Sequence, residues 1–222
     1  MKFFIDTANL DDIREAESLG ILDGVTTNPS LMAKENISGE ENVRDHYAKI
    51  CQITDGDVSA EVISTDLEGM KREASELVKI ADNIVVKIPM IREGVKALAW
   101  CTENGIRTNC TLVFSPGQAI LAAKAGATYV SPFIGRIDDI GWEGMTLIAD
   151  IAEIYAIQGF ETQILAASIR SGKHIVEAAK AGADVVTCPL SSYDSLFKHP
   201  LTDIGLEKFL ADHKKAQSVA AS

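Results

Sequence analysis

The feature that most constrains this chain is an alternation running from one end to the other: short β-branched or apolar runs, each followed by a longer amphipathic stretch rich in Ala and Glu. That is the pattern of parallel βα units, in which doubly covered strands read as apolar runs and the crossovers are helical. It predicts strands near residues 2–6, 24–28, 58–62, 84–88, 108–113, 129–133, 163–168 and 185–188. Helices are expected between them, among them 9–19, 67–81, 92–103 and 142–157, with plausible caps at Asn9 and at Ser115 before Pro116. AAKAGATYVS at 122–131 recurs as AAKAGADVVT at 178–187, each copy reading as a helix end, a Gly stop and the next strand. Eight such strands, no linker-like stretch and no Gly-rich loop after the first strand favour a closed (β/α)8 TIM barrel over an open doubly wound sheet. One α/β barrel domain is expected over residues 1–222, ending in an amphipathic helix about 203–214 with Ile204, Phe209 and Leu210 on its apolar face, then a short flexible tail.

Composition narrows the function. At 222 residues and 46% hydrophobic, the chain can bury a large core. With 21 Lys and Arg against 32 Asp and Glu, its net charge of -11 argues against nucleic acid and anionic membranes as partners. An anionic ligand would then rest on a few local cations. The cysteines (Cys51, Cys101, Cys110, Cys188) lie far apart and none has a His at ligand spacing, so a reduced, metal-free, cytoplasmic protein is expected. The N-terminal MKFFIDTANLDD lacks the long apolar region of a signal peptide, and no segment reaches the roughly 18 apolar residues of a membrane span.

In such a barrel, reactive groups lie at the C-terminal ends of the strands. Those ends here carry Asp6, then Thr26 and Asn28, Ser59 and Glu61, Lys87, Asn109 and Thr111, Ser131 and Phe133, and Ser168 followed by Arg170. Most are spaced two apart, which puts both members of a pair on the lumen face. Ile5, Ala60, Val62, Val86, Ile88, Cys110 and Leu112 alternate with them and are expected to face the helices.

Lys87, in IVVKIP, is the strongest single signal, because a lysine is rarely buried mid-strand without a role. Desolvation lowers a lysine pKa and frees the amine to attack a carbonyl. The competing reading is a snorkelling lysine or an ion pair with Glu61 or Asp6. Glu61 in a buried strand needs a partner or a task, and proton transfer beside an amine is such a task. Asp6 alternatively serves as an acid at the start of the first helix. Ser59 and Thr111 either satisfy backbone groups or hold a water beside Glu61. Arg136, Ser168 and Arg170 form a candidate phosphate clamp, against the alternative that Arg136 pairs locally with Asp138 or Asp139. His46, His174, His199 and His213 fall away from the strand ends, so neither a histidine triad nor a metal site is expected.

FFIDTAN at 3–9, GVTTNPS at 24–30, VVKIP at 85–89, AGATYVSPFIGRIDD at 125–139, AASIR at 166–170 and HPLTD at 199–203 together cover essentially the whole chain. On these motifs the chain resembles the small transaldolase and fructose-6-phosphate aldolase group. The resemblance implies a (β/α)8 barrel with a Schiff-base lysine at Lys87, no cofactor, and sugar phosphates as substrates. The implied reaction splits a ketose phosphate such as sedoheptulose 7-phosphate or fructose 6-phosphate between C3 and C4. It then passes the dihydroxyacetone unit to glyceraldehyde 3-phosphate or erythrose 4-phosphate, in the pentose phosphate pathway.

By the same resemblance, Asp6 takes the C4 hydroxyl proton, and Asn28 holds substrate hydroxyls. Glu61 and Thr111 position a proton-shuttling water, Asn109 and Ser131 contact the dihydroxyacetone carbons, and Arg136, Ser168 and Arg170 bind the distal phosphate. Thr26, Ser59 and Phe133 complete the expected substrate-binding set. The aldolase branch typically has Gln in place of Glu61, Tyr in place of Phe133 and Lys in place of Arg170, so this chain is expected to transfer its three-carbon unit rather than release it. The resemblance also implies that the C-terminal helix packs on a neighbouring subunit, in a homo-oligomer of five or ten chains; the sequence itself shows only an apolar face, which would equally cover the chain's own barrel bottom.

Overall fold

The computed structural model describes residues 1–220 and is a closed barrel of eight parallel strands in sequence order. The strands are β1 (Lys2–Asp6), β2 (Gly24–Thr26), β3 (Asp57–Glu61), β4 (Ile84–Pro89), β5 (Thr108–Val113), β6 (Tyr129–Pro132), β7 (Gln163–Ala166) and β8 (Val185–Cys188). The ring closes where β8 pairs with β1, with Phe4 opposite Thr187. Helices wrap the outside: α1 (Leu10–Ser18), α2 (Pro29–Lys34), α3 (Glu40–Ile53), α4 (Leu67–Leu77), α5 (Arg92–Glu103), α6 (Pro116–Lys124), α7 (Ile134–Asp139), α8 (Gly144–Gln158), α9 (Gly172–Ala181), α10 (Leu190–Phe197) and α11 (Pro200–Ala220). Asn9 caps α1 by accepting from Asp11 N and Asp12 N, and Ser115 caps α6 by accepting from Gln118 N.

The two-residue period divides the side chains as expected over most of the barrel. Ile5, Val25, Val58, Ala60, Val86, Ile88, Cys110 and Val130 pack outward against Ile13, Ile50, Met70, Leu98, Ile148 and Ile175 of the helices. Each fully buried aliphatic side chain of this kind is worth about 1.5–3 kcal/mol. Inside the barrel, Phe4, Val85, Tyr129, Leu165 and Val185 close the N-terminal end of the lumen. The rings of Phe4 and Tyr129 meet edge to face with centroids 5.8 Å apart. The Tyr129 hydroxyl donates to Asp57 Oδ2 at 2.7 Å, and Asp57 is held in turn by Arg107. This plug needs Gly24: a Cβ there would lie 2.7 Å from the Phe4 ring and 2.5 Å from the Asp57 carbonyl oxygen.

Several boundaries differ from the expected ones, for local reasons. β2 stops at Thr26, because Asn28 adopts the N-cap of α2 with Pro29 at its first position, so Asn28 is a capping residue rather than a strand residue. β6 and β7 end at Pro132 and Ala166, and Phe133 pairs with Ala167 only as an isolated bridge. Leu112 does not face the helices as its place in the alternation predicts. The β5–β6 register shifts between Cys110 and Val113, Leu112 takes φ +60°, and Val113 occupies the outward position. This bulge lies directly after Thr111. The last helix is longer at both ends than residues 203–214. Of the expected tail, residues 215–220 continue that helix, and Ala221 and Ser222 lie outside the described residues.

Candidate functional site

Above the apolar plug the lumen turns polar, and the change occurs within single strands. Two residues along from Phe4 is Asp6, from Val85 is Lys87, from Tyr129 is Ser131, and from Val185 is Thr187. Register places Glu61 opposite Lys87 and Lys87 opposite Asn109 on neighbouring strands.

Lys87 is 5% exposed, and its Nζ lies 2.9 Å from Glu61 Oε2 while donating to the Thr27 carbonyl oxygen at 2.8 Å. Of the competing readings, snorkelling to solvent is therefore excluded, and the carboxylate beside the amine is Glu61 rather than Asp6. A buried ion pair of this kind recovers little net stability after desolvation, so stability alone is a weak reason for it. Asp6 is half-buried and accepts from Thr26 Oγ1 at 2.7 Å; it does not cap α1, which Asn9 does. Thr26 in turn shares a 2.6 Å hydrogen bond with Thr187.

On the other side of the lysine, Asn109 Nδ2 donates to Ser59 Oγ at 3.1 Å, and Ser131 Oγ donates to Asn109 Oδ1 at 2.7 Å. This fixes the Asn109 amide in one orientation. Thr111 Oγ1 is buried with no partner among the described residues, and a buried hydroxyl left unpaired costs about 1–3 kcal/mol. It is thus a group with hydrogen-bonding capacity to offer an incoming molecule. Asn28 lies at the edge of this cluster with its Oδ1 committed to Leu31 N at 3.0 Å, which leaves the amide nitrogen as the end able to meet a substrate hydroxyl.

The cations gather at one corner, beyond β6 and β7. Arg136, on α7, stacks its guanidinium 5.1 Å over the Phe133 ring rather than pairing with Asp138 or Asp139. Asp139 instead holds Arg170 Nη2 at 2.6 Å. Ser168, at φ +58°, turns the chain between them. Arg170 lies close against the first turn of α7 because residue 135 is glycine: a Cβ there would come within 2.5 Å of Arg170 Nε. The exposed Arg170–Asp139 pair is worth at most about 1 kcal/mol, so this guanidinium is free to turn to another anion at little cost.

Two histidines lie nearer the strand ends than expected. His46 Nε2 meets the Ala8 carbonyl oxygen at 2.7 Å, and His174, one helical turn past Arg170, accepts from the Arg170 backbone N–H at 3.4 Å and faces Asp138 at 3.5 Å. Among the described residues no group of three or more His, Cys, Asp or Glu is placed to hold a metal ion, and no helix is long and apolar enough to cross a membrane. The four cysteines are unpaired, and burial pushes the Cys110 and Cys188 thiols up to about 12.

Sequence reasoning passed over Thr187, Thr27 and Tyr47. Thr187 stands on the lumen face of β8 and obeys the same two-residue period, so VVTC carried the signal. Thr27 acts through its carbonyl and Tyr47 reaches in from α3, and neither position is marked by any strand pattern.

A family model described as Transaldolase/Fructose-6-phosphate aldolase matches residues 3–221. A probable transaldolase from Parabacteroides distasonis is 66% identical over 215 residues, covering 97% of this chain and 99% of that protein. One from Cytophaga hutchinsonii has the same identity and coverage, and one from Porphyromonas gingivalis is 60% identical, covering 97% and 98%. With an eight-stranded barrel, a buried lysine on its fourth strand and this likeness along nearly its whole length, the chain belongs to the transaldolase/fructose-6-phosphate aldolase family.

Proposed function

We propose that this chain is a transaldolase that moves a dihydroxyacetone unit between sugar phosphates through a Schiff base on Lys87. The observation that carries the reading is the Lys87 amine itself: it is buried in the lumen at 2.9 Å from Glu61 and ringed by hydroxyl and amide groups that suit a polyol. Glu61 accepts a proton from the lysine, directly or through a water. The neutral amine then attacks C2 of a ketose phosphate such as fructose 6-phosphate, and loss of water gives the iminium ion. Asp6 removes the C4 hydroxyl proton, the C3–C4 bond breaks, and its electron pair passes into the iminium to leave an enamine on Lys87. The aldose phosphate departs from the corner of Arg136, Ser168 and Arg170. An acceptor aldehyde then enters there, and the steps run in reverse to a new ketose phosphate.

Thr111, with its unpaired hydroxyl, suits the water that leaves and returns, and the fixed Asn109 amide and Ser131 suit the hydroxyls of the three-carbon unit. The reaction serves an exchange of carbon units among phosphorylated sugars, as in the pentose phosphate pathway, and needs no cofactor. A cytoplasmic location fits it.

Transfer rather than release is favoured by Phe133, which packs between the apolar plug and the Phe114 ring and offers no acid to protonate the enamine. Phe133→Tyr is therefore expected to raise acceptor-independent formation of dihydroxyacetone at least severalfold while slowing transfer. A coupled assay for free dihydroxyacetone checks this, and an unchanged release rate would discount the side chain.

The reading as a whole is tested by NMR of the products from fructose 6-phosphate, with and without erythrose 4-phosphate. Sedoheptulose 7-phosphate is expected only with the acceptor. Free dihydroxyacetone accumulating without one would make the chain an aldolase instead.

We further propose that α11 mediates assembly into a homo-oligomer. Its Leu201, Ile204, Leu206, Phe209 and Leu210 are all exposed, a degree of apolar exposure that a helix in water tolerates poorly unless another surface covers it. Light scattering should give a mass of several chains, and Phe209→Glu should lower it; a wild-type monomer would refute the assembly.

A further inference from the structure

Tyr47 sits on α3, outside the barrel wall, yet its side chain is buried and its hydroxyl reaches the ends of β2 and β3. The reason lies in the ladder between these strands. Val62 N–H donates to the Lys87 carbonyl on the β4 side, so the N–H of Glu61 points the other way, toward β2. β2 has already ended at Thr26, and the nearby Thr27 carbonyl is occupied by Lys87 Nζ at 2.8 Å. Tyr47 Oη supplies the missing rung: it accepts from Glu61 N–H at 3.2 Å and lies 2.9 Å from Thr27 Oγ1.

Thr27 has a single hydroxyl proton and donates it to the Ser59 carbonyl oxygen at 3.3 Å, so in the 2.9 Å contact with Thr27 Oγ1 the phenol is the donor. The result is one directed chain from Glu61 through Tyr47 and Thr27 to Ser59. Burial pushes the Tyr47 phenol above its ordinary range, with the nearby Glu61 charge adding to the shift, so the donor keeps its proton.

Thr27 and Glu61 are the two residues whose oxygen atoms hold Lys87 Nζ. We infer that Tyr47 is the positioning residue for Lys87, its hydroxyl tying these two contacts to each other and so fixing the amine and its proton acceptor in register. The inference rests on the Schiff-base reading of Lys87. It has a further physical basis in the packing: Tyr47 and Glu61 both line a cavity of about 660 Å³ between α2, α3 and α4. The end of β3 therefore borders open space on that side, and on its β2 side the Glu61 backbone is held through the Tyr47 hydroxyl. Tyr47 touches no reacting atom; it acts through Thr27 and Glu61.

The test is Tyr47→Phe, which keeps the ring in the core and removes only the hydroxyl. The expected result is a fall in kcat on the order of tenfold to a hundredfold, the scale of a small misplacement of reacting groups, with KM for the ketose phosphate little changed. The rate of borohydride-trappable adduct formation with fructose 6-phosphate should fall in parallel. Thr27→Val, which leaves Tyr47 intact but breaks the chain at its next link, should lower kcat in the same sense, and it decides the matter if Tyr47→Phe does not fold. Tyr155→Phe serves as the control. That phenol is also buried and donates to the Ala119 carbonyl oxygen at 2.7 Å, but on α8, so its loss should leave kcat and trapping unchanged.

Wild-type kcat and trapping in the folded Tyr47→Phe protein would overturn the inference, as would a fall of the same size in Tyr155→Phe, which would mark a general loss of stability. A wild-type protein that borohydride never traps would instead remove the Schiff-base reading on which the inference stands.

Discussion

Replacing Lys87 by Ala is expected to abolish turnover while leaving sugar-phosphate binding in place. Among the described residues, the amine is the only nitrogen nucleophile in the polar layer of the lumen able to form an iminium ion, since Asn109 is an amide and the guanidinium groups lie beyond the strand ends. Removing a covalent nucleophile typically leaves only the contribution of binding and orientation, so kcat should fall on the order of 10⁴-fold or more. The proposed phosphate corner of Arg136, Ser168 and Arg170 is untouched, and calorimetry with fructose 6-phosphate should still detect binding.

The substitution also leaves the Glu61 carboxylate without the cation that neutralises it. Breaking a buried pair from one side costs about 3–5 kcal/mol. The Glu61 side chain retains 14% exposure, so water relieves part of that, and Lys87→Ala with Glu61→Gln should recover stability relative to Lys87→Ala alone. Mass spectrometry after borohydride treatment gives the decisive measurement. The wild-type chain should gain one three-carbon or six-carbon adduct, located on Lys87, and the variant none. Turnover above a hundredth of the wild-type rate in the variant would place the nucleophile elsewhere.

Asp6→Asn is expected to produce the second largest effect, and on a different step. Asn keeps an acceptor oxygen for the Thr26 hydroxyl, so the hydrogen-bonded link to Thr26 and Thr187 survives and the fold should not suffer. What is lost, on the proposed mechanism, is the base for the C4 hydroxyl proton. General base catalysis is typically worth 10²–10⁴-fold, and kcat should fall within that range. Schiff-base formation does not require Asp6, because Glu61 and not Asp6 lies beside the amine. The trapped adduct should therefore accumulate as the intact six-carbon sugar, whereas the wild type passes on to the three-carbon unit. If Asp6→Asn also prevented trapping, its role would belong to imine formation, and the assignment of the cleavage base would be wrong.

The barrel was legible because the signal that specifies it is local and repeated. β-branched runs such as IVVKIP and the alternation within FFID state both the strand and its lumen face, and the two-residue period then lists the lumen residues in order. Lys87 and Glu61 stood out for the same reason, as charges where the pattern demands apolar side chains. The expectation failed where a backbone detail overrode the period. The alternation sends Leu112 outward, but a bulge between Cys110 and Val113 gives that place to Val113. The strand pattern extends to Asn28, whereas its amide is better used capping a helix that begins with Pro29. Sequence position sets His174 apart from the strand ends, yet the turn after β7 brings it back to the Arg170 backbone.

What the sequence determined by itself, then, is the barrel, the strands that carry Asp6, Glu61, Lys87, Asn109, Thr111 and Ser131, and the face these present. These follow from side-chain period and burial, which are properties of short segments. The tertiary structure decided the pairings: that Lys87 meets Glu61 and not Asp6, that Asp139 holds Arg170 while Arg136 lies on Phe133, and that Tyr47 reaches from a helix to join Thr27 and Glu61. Such contacts depend on where each strand ends and how neighbouring strands stagger. The closed ring fixes those quantities only when all eight strands are in place, and no single segment encodes them.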